Sequence, residues 1–297
     1  MNHFLDINQL SSHEIHSLLQ RALEFKNKAV YPVYSLNTVA NLFYENSTRT
    51  RVSFEMAANH LSMSVINLDL NSSSESKGEI IFDTVQTLIA MGIQTVVIRH
   101  KQEKIHQQLA DYFGADVHIV NAGDGTHAHP SQAILDIMTI MEQKPSLEKL
   151  KIAVVGNIKH SRVANSFQAI CKKLGVGELM LIAPELWQPD PLIFGTVTDN
   201  LEKGLADADV VMCLRVQNER LLENEHMNLQ NYRQDFAITE KSLRFAKSDA
   251  MVLHPGPINR GVEIDSEIAD GKHSFILKQV TNGVYARMAI LESVVRA

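Results

Sequence analysis

Residues 39–70 read "VANLFYENSTRTRVSFEMAANHLSMSVINLDL", which is an apolar run, a helical pattern and a second apolar run in direct succession. Runs that are apolar on both faces are typical of parallel strands covered on each side by helices. The same alternation continues through "TVVIRH", "DVHIVNAG", "KIAVVGN", "ELMLIAP", "DVVMCLRV" and "AMVLHPGP". We therefore predict an α/β fold built of doubly wound parallel sheets.

Local signals mark helix ends and one boundary. Ser11 and Glu14 have capping-box spacing before an amphipathic pattern, Pro130 occupies a first helical position, and Gly175 suits a helix C-terminus. In "EQKPSLEKL", Pro145 breaks a long helix before a fresh strand at Lys151, so this stretch is the best candidate for a boundary between two α/β halves. The final helix, "NGVYARMAILESVVR", could pack on either half.

Composition excludes several classes of protein. The 297 residues are 45% hydrophobic and 21% charged, which leaves room for two cores of roughly 100 to 200 residues each. A formal charge of −6 argues against nucleic acid as the main partner, because binding phosphate backbones needs a basic face. The first residues show no signal peptide and no run is long enough for a membrane span, so a cytoplasmic protein is expected. Cys171 and Cys213 lack the spacing of a metal site and are expected to be buried thiols.

Polar and basic segments follow the apolar runs. Ligands of open parallel sheets bind outside the carboxyl ends of the strands, so the residues after each run are the first candidates for a site. Those residues are Ser47-Thr48-Arg49-Thr50-Arg51, Arg99-His100, "NAGDGTHAHPSQ", "NIKHSR", "RVQNER" and "HPGPINRG". Cations, hydroxyls and amides are thus expected along these strand ends.

Residues 47–50 open a predicted helix. A helix N-terminus offers unpaired N–H groups and a positive dipole end, so this segment predicts a phosphate cradle with Arg49 as a clamp. The alternative is that the hydroxyls merely cap the helix while the arginines pair with surface acids. Arg99, His129 and Gln132 at neighbouring strand ends favour the phosphate site. No G-x-x-x-x-G-K-[ST] or G-x-G-x-x-G motif occurs, so the phosphate belongs to a small substrate.

Two other groups carry weaker signals. His127 and His129 form only half of a metal site, and neither a metal nor a cofactor is expected. Arg162, Arg215 and Gln217 suit the recognition of carboxylates, although a surface ion pair would explain any one of them equally well.

The motifs "FYENSTRTRVSFE", "VVIRH", "NAGDGTHAHPSQ" and "HPGPINRGVEI" resemble those of the aspartate/ornithine carbamoyltransferase family, in family order and essentially from end to end. S-T-R-T-R is shared with the ornithine enzymes and leaves the acceptor open. "RVQNER" and "HPGPINRG" resemble the catalytic chains of the aspartate carbamoyltransferases, and the H-C-L-P and S-M-G segments typical of ornithine enzymes are absent.

The resemblance implies two doubly wound parallel-sheet domains. The carbamoyl phosphate domain would cover residues 1–132, completed by the C-terminal helix 284–297, and the aspartate domain residues 133–283. The implied enzyme transfers the carbamoyl group of carbamoyl phosphate to L-aspartate, the committed step of de novo pyrimidine biosynthesis, without a cofactor. A homotrimer with shared active sites is implied, and regulatory or dihydroorotase chains remain open as further partners.

The resemblance also implies roles for individual residues. Carbamoyl phosphate would be held by Ser47, Thr48, Arg49, Thr50, Arg99, His129 and Gln132, of which Thr50, Arg99 and His129 would be catalytic contacts to the carbamoyl oxygen. Aspartate would be bound by Lys77, Arg162, Arg215 and Gln217, and Ser73 and Lys77 would come from the adjacent subunit. Gly256 and Pro257 would offer backbone contacts, but some relatives carry leucine between the two prolines where this chain has Gly256, so side-chain packing there cannot be carried over.

Alternatives remain at this point. His129 could act as a general base, but a donor role towards the carbamoyl oxygen fits its motif better, with the leaving phosphate taking the proton of the amine. Rival functions are a transcarbamylase with another amine acceptor and a noncatalytic anion-binding α/β module. An oxidoreductase that uses a dinucleotide would need the missing glycine motif.

Overall fold

Two sheets, one of four strands and one of five, organise the part of the chain described by the computed structural model, which covers residues 1–28, 30–68, 80–216 and 227–296. Every pairing of neighbouring strands in both sheets is parallel. The chain divides into two compact units, residues 1–138 with 280–297 and residues 139–279, each with one sheet. The predicted α/β class with two parallel-sheet domains is confirmed.

The strands are β1 (Thr38–Phe43), β2 (Ser64–Leu68), β3 (Thr95–His100), β4 (His118–Asp124), β5 (Lys151–Val155), β6 (Glu178–Ile182), β7 (Thr196–Thr198), β8 (Val210–Cys213) and β9 (Met251–Leu253). The helices are α1 (Ser12–Asn27), α2 (Thr48–His60), α3 (Ile81–Ala90), α4 (Ile105–Phe113), α5 (Pro130–Met141), α6 (Arg162–Leu174), α7 (Leu201–Leu205), α8 (Leu229–Phe236), α9 (Glu240–Leu243), α10 (Ser266–Ala269) and α11 (Ile276–Val295).

The sheet of the first unit has the strand order β2-β1-β3-β4. All residues of β3 are buried, as expected for a central strand covered on both faces, whereas the edge strand β2 is largely exposed. Ile98 of β3 belongs to a core cluster with Val85 of α3 and Leu109 of α4. The central strands therefore end at fixed positions against a packed layer of helices.

The sheet of the second unit has the order β7-β6-β5-β8-β9. Its edge strand β7 was not predicted, because three residues rich in threonine show no apolar run. Trp187, Tyr232 and Phe236 pack their rings in sequence, with centroids 5.4 and 5.6 Å apart. Trp187 and Tyr232 are fully buried and form part of the core of this unit.

The predicted helix ends are confirmed. Ser11 and Glu14 form a reciprocal capping box at the start of α1, α5 begins at Pro130, and Gly175 ends α6 in the left-handed conformation at φ +67°. Strand β5 begins at Lys151 after the break that contains Pro145. The division between the units falls inside α5 and α11, and the domain boundaries at residues 132 and 283 stay predictions.

Both cysteines are buried, and no disulfide joins them. Burial raises the pKa of the Cys213 thiol, which keeps it protonated at neutral pH. Among the described residues, no helix is long and apolar enough to cross a membrane.

Candidate active site

The segment between β1 and α2 forms an open helix N-terminus. Ser47 is the N-cap residue, yet its side chain makes no capping hydrogen bond, so helix capping does not account for this hydroxyl. Thr48 and Arg49 are exposed, whereas Thr50 is buried. The N–H groups of a first helical turn have no acceptor within the helix, and the dipole adds positive potential. This end of α2 can therefore receive an anion.

Arg51 lies one position further along α2. It is exposed and forms no ion pair with any residue that the structure describes, so the alternative in which the arginines pair with surface acids has no support here from Arg51. Ser53 Oγ donates to the carbonyl oxygens of Arg49 and Thr50 at 2.7 and 3.0 Å. The first turn is thus braced from within the helix.

Arg99 lies at a β-bulge. Ile98 pairs with Asn121 and His100 pairs with Asp124, so Arg99 alone faces two residues of β4. A bulge of this kind re-aims the side chain of the residue that faces it. Only 8% of Arg99 is exposed, and its Nε lies 3.3 Å from Glu45 Oε2.

The pairing with Glu45 connects the ends of two strands. Phe43 of β1 pairs with Arg99 of β3, so the segment that leads to Ser47 and the Arg99 bulge are neighbours in the sheet. Arg99 Nη1 also donates to the carbonyl of Ala122 on β4, at a long 3.4 Å. Arg99 therefore contacts the ends of both adjacent strands.

His129 is the residue that precedes α5 and caps its N-terminus. Its carbonyl accepts from the N–H groups of Gln132 and Ala133 at 3.1 and 3.3 Å, and its side chain is buried. Gln132, in the first turn of α5, is 7% exposed and donates from Nε2 to Asp136 Oδ1 at 2.9 Å. The strand ends of the first unit thus bring Arg99 and the segments of residues 47–50 and 129–132 to one edge of its sheet.

Asp124 holds the turn that precedes His129. Its Oδ1 accepts from the Lys104 N–H at 2.7 Å and its Oδ2 lies 2.8 Å from His127 Nδ1. Burial opposes ionisation, but hydrogen bonds with His106 and His127 outweigh it and hold the pKa of Asp124 well below its usual range. The Asp124 bond raises the pKa of His127 in return. His127 thus has a partner in the turn itself.

His127 and His129 do not belong to a cluster of metal ligands. Among the described residues, which include both histidines, no group of three or more His, Cys, Asp or Glu side chains could hold a metal ion.

Arg162 opens α6 in the second unit. It is buried in the first helical position, and Ser161 before it caps the helix by accepting from the Ala164 N–H at 3.2 Å. Asn157, also buried, accepts from the backbone N–H of His160 at 3.1 Å. The segment after β5 is therefore a second helix start that carries a fixed cation.

Arg215 follows β8 and is tied to the segment after β9. Its Nε donates to Asn259 Oδ1 at 3.3 Å, and Asn259 Nδ2 donates to the carbonyl of Val216 at 2.9 Å. Gly256, at φ +70°, donates its N–H to His254 Nδ1 at 2.8 Å, and Pro257 follows directly. The two segments are thereby joined by hydrogen bonds.

Three of the expected site residues, Ser73, Lys77 and Gln217, lie outside the described residues. Three others, Glu45, Asp136 and Arg287, were not predicted although they contact or support the site. Glu45 stands two positions before Ser47 and Asp136 stands one helical turn after Gln132, so spacing offered a signal for both. Arg287 offered none, because Asp136 and Phe54, with which it interacts, lie far from it in the sequence.

The arrangement of the first unit suits an acyl phosphate, that is, a phosphate group joined to a polar carbonyl. Arg49 and the first turn of α2 provide positive potential, and Thr50, Arg99 and His129 are buried groups that can donate hydrogen bonds. The second unit offers Arg162 and Arg215, which suit carboxylates.

Two family models match the chain: the carbamoyl-P binding domain of aspartate/ornithine carbamoyltransferase over residues 2–142 and the Asp/Orn binding domain over residues 148–294. Over 295 residues, the chain is 70% identical to the aspartate carbamoyltransferase catalytic subunit of Legionella pneumophila (strain Corby), and 99% of each chain is covered.

Solved structures are similar along almost the whole chain. Aspartate transcarbamoylase from Trypanosoma cruzi in complex with carbamoyl phosphate and aspartate has a TM-score of 0.89 at 28% identity, with 99% of this chain and 96% of that chain covered. Ornithine carbamoyltransferase from Pyrococcus furiosus has a TM-score of 0.85 at 27% identity, with 98% of this chain and 96% of that chain covered. Backbone similarity therefore extends across enzymes with different acceptors.

Proposed function

Because this chain belongs to the aspartate/ornithine carbamoyltransferase family, we propose that it moves the carbamoyl group of carbamoyl phosphate onto the α-amine of L-aspartate. It is a transferase of the aspartate carbamoyltransferase type. The proposed products are phosphate and N-carbamoyl-L-aspartate, in the committed step of de novo pyrimidine biosynthesis. The observation that carries the proposal is the row of anion-binding groups at the strand ends of the first unit.

Phosphate binding is assigned to the start of α2. Ser47, Thr48, Arg49 and Thr50 would surround the phosphate together with Arg99. The uncapped side chain of Ser47 and the exposure of Arg49 support this role, since neither group is used up by the helix itself. The dipole of α2 adds positive potential at this helix N-terminus.

The carbamoyl oxygen is assigned to Thr50, Arg99 and His129. Attack by the neutral amine gives a tetrahedral intermediate, and negative charge grows on this oxygen and on the departing phosphate. Donors already in place are each worth on the order of 3 kcal/mol of transition-state stabilisation. His129 acts as a donor in this scheme, and the leaving phosphate takes the proton of the amine. Gln132 contacts the carbamoyl amide.

Aspartate binding is assigned to Arg162 and Arg215 of the second unit, with Lys77 and Gln217. Two arginines match the two carboxylates of the acceptor, and planar guanidinium groups form bidentate hydrogen bonds with carboxylates. The bond from Arg215 to Asn259 supports the assignment, because it orients this guanidinium. Gly256 and Pro257 would contribute backbone contacts.

The assembly we propose is a cytoplasmic homotrimer, in which Ser73 and Lys77 come from the adjacent subunit. The family resemblance supports this arrangement. Sharing a site in this way would explain why the segment with Ser73 and Lys77 belongs to the same set as the strand-end residues.

One assay tests the reaction: formation of carbamoyl aspartate by the purified chain, with L-aspartate or ornithine as acceptor. Of these two acceptors, only L-aspartate is expected to give a product. Arg49→Ala and Arg99→Ala should each lower turnover by about a hundredfold or more while the fold survives, since each removes a charged contact made in the transition state. Arg51→Ala, an exposed arginine on the same helix, is the matched control and should keep its activity.

Two outcomes would contradict the proposal. Turnover with ornithine instead of aspartate would favour a transcarbamylase with another acceptor. Tight binding of phosphate without phosphate release in the presence of both substrates would favour the noncatalytic module. Sedimentation of the same sample separates a trimer from a monomer.

A further inference from the structure

A buried carboxylate fixes the orientation of the Gln132 amide. Gln132 and Asp136 lie one helical turn apart on α5, and Gln132 Nε2 donates to Asp136 Oδ1 at 2.9 Å. Asp136 is fully buried and Gln132 is 7% exposed. An ionised carboxylate can only accept hydrogen bonds, so it holds the NH₂ end of the amide and directs Oε1 away from itself.

Arg287 of α11 is the buried cation on which the charge of Asp136 acts. The residue is only 3% exposed. Burial lowers the pKa of Arg287 to about 10, with Asp136 opposing the shift, so the guanidinium remains charged at neutral pH. A buried carboxylate without a cation would instead take up a proton.

The surroundings of Arg287 hold its guanidinium in place. Nη1 donates to the carbonyl of Gly283 at 3.0 Å, one turn earlier on α11. A Cβ at Gly283 would lie only 2.6 Å from this nitrogen, so the missing side chain leaves the room that the guanidinium uses. On its other side, the guanidinium carbon lies 5.1 Å from the ring centroid of Phe54 on α2.

We propose that Asp136 is a positioning residue that turns Gln132 so that its Oε1 accepts from the NH₂ of the donor substrate. The inference rests on the proposed function and deepens it. The site then selects carbamoyl phosphate over acyl phosphates that lack an N–H at this position, such as acetyl phosphate. With an acetyl group, Oε1 would face a methyl group and lose its hydrogen bond.

The test compares the binding of two donors by isothermal titration calorimetry of the full chain without aspartate. Wild-type protein should bind carbamoyl phosphate more tightly than acetyl phosphate. In Asp136→Asn, the side chain can donate as well as accept, and Gln132 is free to turn over. The dissociation constant for carbamoyl phosphate should rise about tenfold to a hundredfold, while that for acetyl phosphate changes by less than about threefold.

A matched control exists on α4. Gln107 Nε2 donates to Asp111 Oδ1 at 2.7 Å in the same one-turn arrangement, but on the exposed surface. Asp111→Asn should change neither dissociation constant. Equal weakening of both donors by Asp136→Asn, or no weakening of either, would overturn the inference, because a purely structural role would not separate the two ligands.

A double variant covers the case in which Asp136→Asn fails to fold with an uncompensated buried cation. Asp136→Asn with Arg287→Met removes both charges and should show the same loss of discrimination; a retained preference for carbamoyl phosphate would overturn the inference. Arg287→Lys keeps the positive charge and should keep the preference.

Failure of this inference differs from failure of the proposed function. If the wild-type chain prefers carbamoyl phosphate but forms no carbamoyl aspartate, the acceptor reaction is wrong and the role of Asp136 stands. If wild-type protein binds both donors equally well, the role of Asp136 is wrong whatever the turnover.

Discussion

Glu263 is a buried carboxylate, 1% exposed, whose hydrogen bonds come from the segment after β8 and the segment after β9. It accepts from the Asn259 N–H at 2.6 Å, from His254 at 3.1 Å and from the Val216 N–H at a long 3.5 Å. His254 Nδ1 already accepts from Gly256, so Nε2 carries the proton and donates to Glu263. The carboxylate therefore supports Asn259, and through it Arg215.

Glu263→Gln replaces one acceptor oxygen with an NH₂ group. One of the groups that donate to Glu263 would then lose its acceptor. We expect a loss of about 2 to 4 kcal/mol in the free energy of unfolding, measured in urea, because a buried network loses its common acceptor. The KM for aspartate should rise severalfold, while carbamoyl phosphate binding stays unchanged. Weakened binding of both substrates would contradict this assignment.

At the scale of one element, the turn between β4 and α5 depends on two groups with opposite pKa shifts. The pKa of Asp124 is lowered, so its contribution to stability is present above the ordinary carboxyl range and is lost as the pH falls. The pKa of His127 is raised by the hydrogen bond with Asp124, with Asp6 and Glu103 nearby adding to the shift. Its contribution is complete below about pH 6.5 and is lost as the pH rises through the folded pKa.

Stability at alkaline pH tests the turn. Between pH 6 and 8.5, the free energy of unfolding of the wild-type protein, measured in urea, should fall by up to about 1 kcal/mol. This value is small because His127 is partly exposed and solvent screens its charge. His127→Asn keeps a donor but does not titrate, and should lack this component of the loss. His13→Asn, at an exposed histidine of α1, should behave as wild type. Equal pH dependence of wild type and His127→Asn would contradict the role of His127.

At the scale of the whole molecule, the first unit is discontinuous in sequence and the second is continuous. Helix α11 supplies Glu292, which accepts from Arg21 Nη2 at 2.7 Å and from the Tyr34 hydroxyl at 2.8 Å. Asn282 of the same helix accepts from Lys26 at 2.8 Å. The last helix thus completes a core that the first residues of the chain begin.

Fragments should reflect this division. Residues 139–279 should unfold cooperatively by themselves in thermal circular dichroism, because their sheet and core are complete. Residues 1–138 should not, since α11 is missing, and joining 280–297 through a flexible linker should restore a cooperative transition. A cooperative transition of 1–138 alone would show that α11 is dispensable for this unit.

The class of fold and most helix ends followed from the sequence, because apolar runs and caps are local signals. The short strand β7 could not be predicted, since an edge strand of three residues depends on its neighbour for pairing. The predicted phosphate cradle at residues 47–50 likewise rests on a local signal, because a helix N-terminus carries its own unpaired donors. Its ligand contacts remain predictions.

By itself, the sequence determined the two parallel-sheet domains and predicted an anion at the first strand ends, because hydrophobic period, helix caps and basic residues act over a few positions. Only the tertiary structure decided that Glu45 pairs with Arg99, that Glu263 joins two loops, and that Arg287 compensates Asp136. Each of these requires side chains from separate elements to share one buried space, where an unpaired charge is costly, and no local spacing encodes that requirement.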